Sequence, residues 1–441
     1  MQVAEFENMT SDSSNNDDNN NNYHQRVQIK PSDLKQKIDS HEDVFILDVR
    51  TQEEYESWKL SYNGYDNSLL VPIDTLRSSS SNVLSRIPKG KEIVTLCSHG
   101  NRSMLAAKFL SQLGYDVKSI EGGLSAWNNV YDITFIPIVG KNLSSIVRIW
   151  QLRRVSKGCI GYLVSSEIDK NAVIIDPTCE INEPLAKVLK DNNLHLTKVI
   201  DTHLHADHIS GASRLAKIYG AEVYISSLED YDIKEKENDD DEIVFNQIED
   251  DNKIDIDKRV SLMAIYTPGH TNGSMCFKLV IDDIDNEGKY NNNNDHRNNN
   301  DDNNISSRTT AYLFTGDTIF VNGIGRPDLQ HKAKEFTHNL YDTYQQKILS
   351  LPKETIILPA HFSDSFEHEK PIYDTLESIN NRVKVLLASK EQFMEFVLGS
   401  IPSRQPLNYD KIIEINKSMI PCDKVEIADL EAGPNSCGIQ T

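Results

Sequence analysis

Residues 201–211 read Asp-Thr-His-Leu-His-Ala-Asp-His-Ile-Ser-Gly, which packs three imidazoles and a carboxylate between His203 and His208. The run before it, 198–202, is apolar enough for a short buried strand, and 210–219 carries apolar residues at helical spacing. The cluster therefore falls on the turn between them. His203 and His205 leave an extended segment while Asp207 and His208 open the helix, so four donors converge on one point. Neutral imidazole with carboxylate suits zinc or iron and needs no thiolate.

Three later segments supply further donors: Thr-Pro-Gly-His270, Phe-Thr-Gly-Asp317 and Leu-Pro-Ala-His361. Each follows a β-like apolar run (262–266, 311–314 and 355–358) and places one His or Asp at its end. In the order, spacing and type of these donors, residues 147–361 resemble the metallo-β-lactamase superfamily. That resemblance implies an αββα sandwich whose two facing sheets bring ligands from strand ends to one edge.

At 441 residues the chain has room for two or more domains, each with its own core. Its net charge of -21 argues against nucleic acid or an acidic membrane as partner. Part of that charge is local, since 229–257 holds 14 acidic against 3 basic residues and reads as a solvated excursion around a strand at 242–245. No apolar run is long enough for a transmembrane helix. The acidic, Asn-rich start resembles neither a secretory signal nor a transit peptide, so a cytoplasmic location is expected, with a mitochondrial one left open. Six cysteines (97, 159, 179, 276, 422 and 437) follow no framework spacing and are expected to be reduced thiols. The Asn/Asp tracts at 11–22 and 290–304 lack the apolar content to pack. The second lies between strands expected at 274–281 and 310–314, which makes it a loop insertion.

A second chemical signature precedes the first. Residues 91–96 read as a strand, Cys97-Ser-His-Gly-Asn-Arg102-Ser as a short loop, and 104–113 as an amphipathic helix. A cysteine facing unpaired N–H groups at a helix start has a lowered thiol pKa and a cradle for an anion. Gly100 permits the turn and Arg102 adds a cation. Such a loop serves phosphatases and arsenate reductases as well as sulfur carriers. The flanks Phe-Ile-Leu-Asp-Val-Arg-Thr-Gln-Glu-Glu-Tyr (45–55) and Ile-Glu-Gly-Gly-Leu-Ser-Ala-Trp (120–127), together with the six-residue loop 98–103, resemble the rhodanese family. This implies a three-layer α/β domain in which Cys97 carries a persulfide, with Arg102 and the loop amides holding the sulfur donor. Residues 61–72 depart from the family's usual run, which bears on substrate choice.

The seven donors permit two arrangements. In one, His203, His205 and His270 hold one metal, Asp207, His208 and His361 hold another, and Asp317 bridges them, as in two-metal hydrolases. In the other, His203, His270 and Asp317 alone form a two-histidine-one-carboxylate face with open positions, as in non-haem Fe(II) oxygenases. Residues 315–329, above all Gly-Arg-Pro-Asp-Leu at 325–329, resemble the persulfide dioxygenase (sulfur dioxygenase) branch, which is often fused to rhodanese domains. That resemblance implies one Fe(II) per chain on His203, His270 and Asp317 and oxidation of glutathione persulfide by O2 to sulfite and glutathione in sulfide catabolism. His205, Asp207, His208 and His361 then orient ligands and water. Arg326 is expected to clamp a substrate carboxylate, with an ion pair to Asp328 as the alternative. Phe362-Ser363 stands where mitochondrial-type relatives carry Asp-Tyr, so a related low-molecular-weight persulfide remains open as substrate.

The expected organisation is a disordered tail over 1–22, a rhodanese-like domain over 23–132 and a metallo-β-lactamase-fold domain over 143–365 with insertions at about 229–257 and 284–309. A helical extension over 366–441 is expected to pack on the last domain beside the metal pocket. Thiosulfate and sulfite are the expected partners of the Cys97 domain, and a homodimer is left open. Two alternatives stand beside this reading: a dinuclear zinc hydroxyacylglutathione (thioester) hydrolase, and a non-catalytic protein that senses persulfide through Cys97.

Overall fold

The computed structural model describes residues 27–440, apart from 61, 66, 79–80, 141–142, 233–242, 283–310, 363–365, 403–404, 406 and 434. The tail expected at 1–22, the strand start at 242 and the Asn/Asp tract at 290–304 lie outside the described residues. The chain divides into two compact units, one ending at Val130 and the other beginning at Tyr131.

The first unit is a parallel sheet with helices. Its strands run in the order Gln28–Ile29, Val117–Ile120, Glu92–Leu96, Val44–Asp48, Ser68–Leu70, every pair parallel. Parallel strands buried on both faces read as continuous apolar runs, as Val44–Asp48 and Glu92–Leu96 do. Leu47, Ile93, Ala107 and Leu110 pack in one cluster that joins the sheet to the helix Asn101–Gln112. The divergent stretch at 61–72 still completes the fold: Tyr62 is buried edge-on against Trp127, ring centroids 5.8 Å apart, and Ser68–Leu70 forms the sheet's edge.

The second unit stacks two sheets between helical layers. One has seven strands, ordered Phe245–Ile248, Glu222–Ser226, His195–Ile200, Asn171–Ile175, Ile160–Ser166, Val147–Arg154, Tyr131–Phe135. The other has six, ordered Lys253–Asp255, Val260–Tyr266, Met275–Ile281, Tyr312–Gly316, Ile356–Pro359, Asp374–Thr375. Val147, Tyr162, Val173, Leu262, Phe277, Phe314 and Leu358 interdigitate between the sheets. The outer face of the first sheet buries Leu163, Ile174 and Val199 under helices Asn182–Asn192 and Ala212–Tyr219. Leu313, Ile357 and Cys276 of the second pack under Ala333–Thr343, Leu376–Arg382 and Lys390–Ser400. The expected α/β class and αββα sandwich are both present.

Three details differ from expectation. Residues 131–135, expected at the end of the first domain and the start of a connector, form the edge strand of the second unit, paired antiparallel with Val147–Arg154. Within the helical extension expected over 366–441, the helix Leu376–Arg382 ends where Val383 leaves helical geometry (φ -88°, ψ 71°), and the chain continues as the 3-10 turn Lys384–Leu387. The cysteines are not all thiols: Cys179 and Cys422 form a disulfide, and 97, 159, 276 and 437 are free. A pairing across 243 residues leaves no local spacing to read. No helix among the described residues is long and apolar enough to cross a membrane.

Candidate functional site

In the first unit, Cys97 ends strand Glu92–Leu96 and its Sγ sits in the mouth of a loop that closes into helix Asn101–Gln112. The backbone N–H groups of Gly100 and Ser103 donate to the sulfur at 3.2 and 3.3 Å. Gly100 supplies the left-handed turn (φ 92°) that aims them. Gly123 is required for a different reason: a Cβ there would lie 2.4 Å from the Cys97 carbonyl. The anion cradle is thus built from amides. Arg102 does not join it as expected. Its guanidinium forms a two-pronged pair with Glu54, Nη1 to Oε2 at 2.8 Å and Nη2 to Oε1 at 2.6 Å. Glu54 is fixed by its place in the capping box of helix Gln52–Ser57, and the hydrogen bond from Arg102 holds its carboxyl down to about 2. Arg102 therefore fastens the loop to that helix while the amides face the sulfur.

In the second unit the expected donors meet at the ends of strands from both sheets. His203, His270 and Asp317 offer three atoms within 4.8 Å of one another, all buried. Asp317 Oδ2 lies 3.8 Å from His203 Nε2 and 3.4 Å from His270 Nε2. Each ligand is oriented from behind. His270 Nδ1–H donates to the Arg326 carbonyl at 2.8 Å, which leaves Nε2 with its lone pair forward. The Thr202 hydroxyl donates to Asp176 at 2.9 Å, so its oxygen accepts from His203 Nδ1, also at 2.9 Å. His361 Nδ1 donates to Asp317 Oδ1 at 2.6 Å and leaves Oδ2 free. Consequently His203 Nε2, His270 Nε2 and Asp317 Oδ2 are buried without hydrogen-bond partners. Three unpaired polar atoms facing one point would be costly unless a cation joined them, so the residues fit a metal.

The other four donors are arranged differently. His205 turns to Asp176 and Asp201, with Nε2 3.3 and 3.8 Å from their oxygens. Asp207, His208 and His361 form their own network, His361 Nε2 reaching Asp207 Oδ2 at 3.0 Å and His208 Nδ1 reaching Oδ1 at 3.0 Å. Charge separates the two sets. Burial pushes the His203 and His270 imidazoles below their ordinary pKa, which keeps them neutral as metal ligands must be. Burial opposes charge on His208 and His361 as well, but Asp207 outweighs it at the first and Asp317 with Asp207 at the second, so both rise well above their ordinary value. Burial drives Asp201 up to about 6.

Two close approaches depend on glycine. A Cβ on Gly325 would lie 1.9 Å from the Asp317 carbonyl, and one on Gly316 (φ 49°) 2.4 Å from the Thr202 hydroxyl. Arg326 corrects an expectation. It is fully buried, its Nε and Nη2 both bond Asp328 at 2.7 Å, and Nη1 bonds the Ser436 carbonyl at 3.2 Å. Held by these three bonds, as the ion-pair alternative implied, it braces the loop whose Arg326 carbonyl accepts from His270.

Several residues that build the centre carried no motif. Glu229, counted in the acidic excursion, is buried and accepts from the Thr271 hydroxyl and, at 3.2 Å, from Leu204 N–H, which ties together the loops of His203 and His270. From the C-terminal part, Asn416 donates to the carbonyls of His205 and His208 at 2.9 and 2.8 Å. Glu431 accepts from Ile209 N–H at 2.7 Å and pairs with buried Arg154, and Asn435 donates to Asp207 at 2.7 Å. Strand Gly438–Gln440 pairs with Gly323–Gly325. The terminal segment thus braces the metal loop. Only Asp176, at the end of a strand, carried a legible cue.

A cavity of about 480 Å³ opens beside His361, lined among others by Phe320, Phe362, Lys370, Tyr373, Asn435 and Gln440. That volume lies in the range of small-molecule sites.

Residues 30–130 match the rhodanese-like domain and 161–284 the metallo-beta-lactamase superfamily. The chain therefore joins a rhodanese-like domain to a metallo-β-lactamase domain. Among similar proteins, the human mitochondrial persulfide dioxygenase ETHE1 is 28% identical over 256 residues, 58% of this chain and 82% of that protein. A hydroxyacylglutathione hydrolase of Prochlorococcus marinus is 29% identical over 241 residues, 54% and 78% respectively. A metallo-beta-lactamase crystal structure from Staphylococcus aureus superposes with a TM-score of 0.50 at 22% identity, covering 62% of this chain and 73% of that one, and supports the fold.

Proposed function

We propose that the chain is a persulfide dioxygenase fused to a sulfurtransferase. The observation that carries this is the geometry of the seven donors: unpaired atoms on His203, His270 and Asp317 face one point, while Asp207 and His361 bond each other and His205 Nε2 lies 3.3 Å from Asp176, with both nitrogens of His205 and Nε2 of His208 also lacking hydrogen-bond partners. A single cation completes the first set and leaves one face open. Fe(II) bound there supplies the O2 chemistry. The net reaction balances as persulfide, O2 and water to thiol, sulfite and two protons. His361, which donates from both ring nitrogens to Asp317 and Asp207 beside the cavity, is placed to give a proton to the departing thiol.

The substrate is a low-molecular-weight persulfide, glutathione persulfide first among them. It enters the cavity lined by Phe320 and Phe362, where Lys370, paired with Glu367 at 3.0 Å on the exposed side, is the cation its carboxylate would share. In the other unit, Cys97 takes a sulfane sulfur from a persulfide, releasing the thiol, and passes it to sulfite to give thiosulfate. The Gly100 and Ser103 amides hold the anionic sulfur throughout.

A second reading, a dinuclear zinc thioester hydrolase, draws support from the presence of all seven donors and from the hydrolase relatives. Iron-loaded protein given glutathione persulfide in an oxygen electrode decides between them: O2 uptake with sulfite formation is expected, and its absence together with release of glutathione from S-lactoylglutathione by the zinc-loaded protein would establish the hydrolase.

A further inference from the structure

The Cys179–Cys422 disulfide joins two segments that both act on the metal loop. On one side, residues 177–179 lie against 209–211: Cys179 N–H donates to the Ile209 carbonyl at 3.0 Å, Gly211 N–H donates to the Pro177 carbonyl at 2.7 Å, and the backbone of Thr178 bridges that of Ser210. On the other, Cys422 falls between the two braces of the terminal segment. Asn416 holds the carbonyls of His205 and His208, and Glu431 holds Ile209 N–H. The bond packs with Ile209, Ile412 and Ile427, so it ties the span that carries both braces to the base of the loop they hold. A covalent tie across 243 residues removes freedom that this span would otherwise gain on opening. Its two sulfurs differ in their surroundings. Arg214 Nη1 lies 3.7 Å from Cys179 Sγ and donates to the Cys179 carbonyl at 3.2 Å. A guanidinium there stabilises a thiolate leaving on Cys179, which directs an incoming thiol to Cys422.

We propose that this pair is a thiol–disulfide exchange site for low-molecular-weight thiols and that its state sets how firmly the metal loop is held. A thiolate attacks Cys422 Sγ, forming a mixed disulfide and breaking the bond to Cys179. The electron pair leaves on Cys179 beside Arg214, which takes up the proton that the incoming thiol gave up. A second thiol then releases Cys422 as a thiol and departs with the first as their disulfide, so two thiols are oxidised as two cysteines are reduced. Both cysteines are at most 2% exposed, and attack follows a local opening of the terminal segment, where Ile415, Val425 and Leu430 cover the pair while themselves only partly buried. The polar braces survive the cut, so reduction loosens the loop and leaves the sandwich folded. The thiol released in the proposed reaction belongs to this class, and only that choice of reductant rests on the reading above.

The test holds metal-loaded full-length protein, prepared once with Fe2+ and once with Zn2+, in glutathione redox buffers of rising thiol content. Cysteines 97, 159, 276 and 437 are free at the start, and alkylation after denaturation should show 179 and 422 joining them. With that change, amide hydrogen exchange over 203–211 and metal loss to a chelator should each speed up about tenfold, while exchange in strand Val147–Arg154 stays unchanged. Acid quenching should trap the glutathione adduct on Cys422. The double variant Cys179→Ser/Cys422→Ser should show fast exchange and fast metal loss at every thiol level, and Arg214→Gln should slow reduction without changing metal loss from the oxidised protein. A disulfide that survives excess glutathione in the native protein, or whose reduction changes neither exchange nor metal loss, overturns the proposal, and an adduct trapped on Cys179 overturns the direction of attack. Neither readout involves O2 or thioester turnover, so a protein inactive in both of those assays still decides the exchange site.

Discussion

The Cys97 loop takes its working parts from one continuous segment, 97–103, anchored by Glu54 and by the backbone of Leu124 and Ser125, whereas the metal centre draws ligands from the ends of strands in two sheets and braces from the terminal segment. The difference shows in how each site controls charge. The loop relies chiefly on backbone amides that any sequence able to make the turn would present, with the Ser103 hydroxyl accepting from the Cys97 thiol at 3.4 Å beside them. The metal centre relies on tautomers and ion pairs that a separate residue must set for every ligand. A locally built site tolerates change around it, and an assembled one depends on distant contacts.

The largest effects expected from this comparison come from the ligands themselves. His203→Ala or Asp317→Ala should lower iron content and O2 uptake by more than about 100-fold, beyond the range that losing an orienting partner costs. Thiosulfate sulfurtransfer by the same proteins should stay intact. Cys97→Ser should do the reverse, and a Cys97 variant that lost both activities would break the separation of the two units.

Next in size is the distant brace. Glu431→Gln leaves Arg154 buried without its counter-charge, and both side chains of that pair are nearly inaccessible. Urea unfolding should show a loss of about 3–5 kcal/mol, with weakened metal binding, because Glu431 also holds Ile209 N–H. Unchanged stability would mean that the terminal segment merely covers the site.

The two basic residues near the cavity should separate cleanly. Arg326→Lys breaks the fork on Asp328 and is expected to cost stability of about 1–3 kcal/mol while leaving KM for the persulfide unchanged. Lys370→Ala should raise that KM about fivefold, near 1 kcal/mol, with kcat held. An Arg326 effect on KM with no effect from Lys370 would restore the role first expected of Arg326.

The smallest effect belongs to the loop. Glu54 has its pKa depressed from 4.5 to about 2 by Arg102, so its contribution to stability is present above 4.5 and disappears as pH falls through about 2. The pair is partly exposed and screened, which limits it to less than about 1 kcal/mol. A carboxyl titration followed by NMR should place the midpoint near 2, and a midpoint near 4.5 would show that Arg102 is free to meet the sulfur donor.

How far each site was legible follows from the same contrast. The strand, loop and helix around Cys97 were readable because apolar periodicity and Gly100 act within a few residues. The seven metal donors were readable because they fall in four short segments, each directly following an apolar strand. What they do was not, since the roles of His205 and Arg326 depend on Asp176, Asp201 and Asp328 reaching them in space. Asn416, Glu431 and Asn435 lie more than 200 residues from the groups they hold, and Cys179 pairs with Cys422 across a similar gap. Contacts at such separations leave no periodic trace. The acidic count over 229–257 likewise hid Glu229, whose burial belongs to the loops it joins.

The central claim is that one metal on His203, His270 and Asp317 carries O2 chemistry on a persulfide. Iron-reconstituted protein assayed with glutathione persulfide, with iron per chain and O2 consumption measured on the same sample, tests it directly. O2 uptake and sulfite in proportion to iron bound are predicted, lost in His203→Ala and kept in Cys97→Ser. Iron bound at the triad without O2 uptake would contradict it.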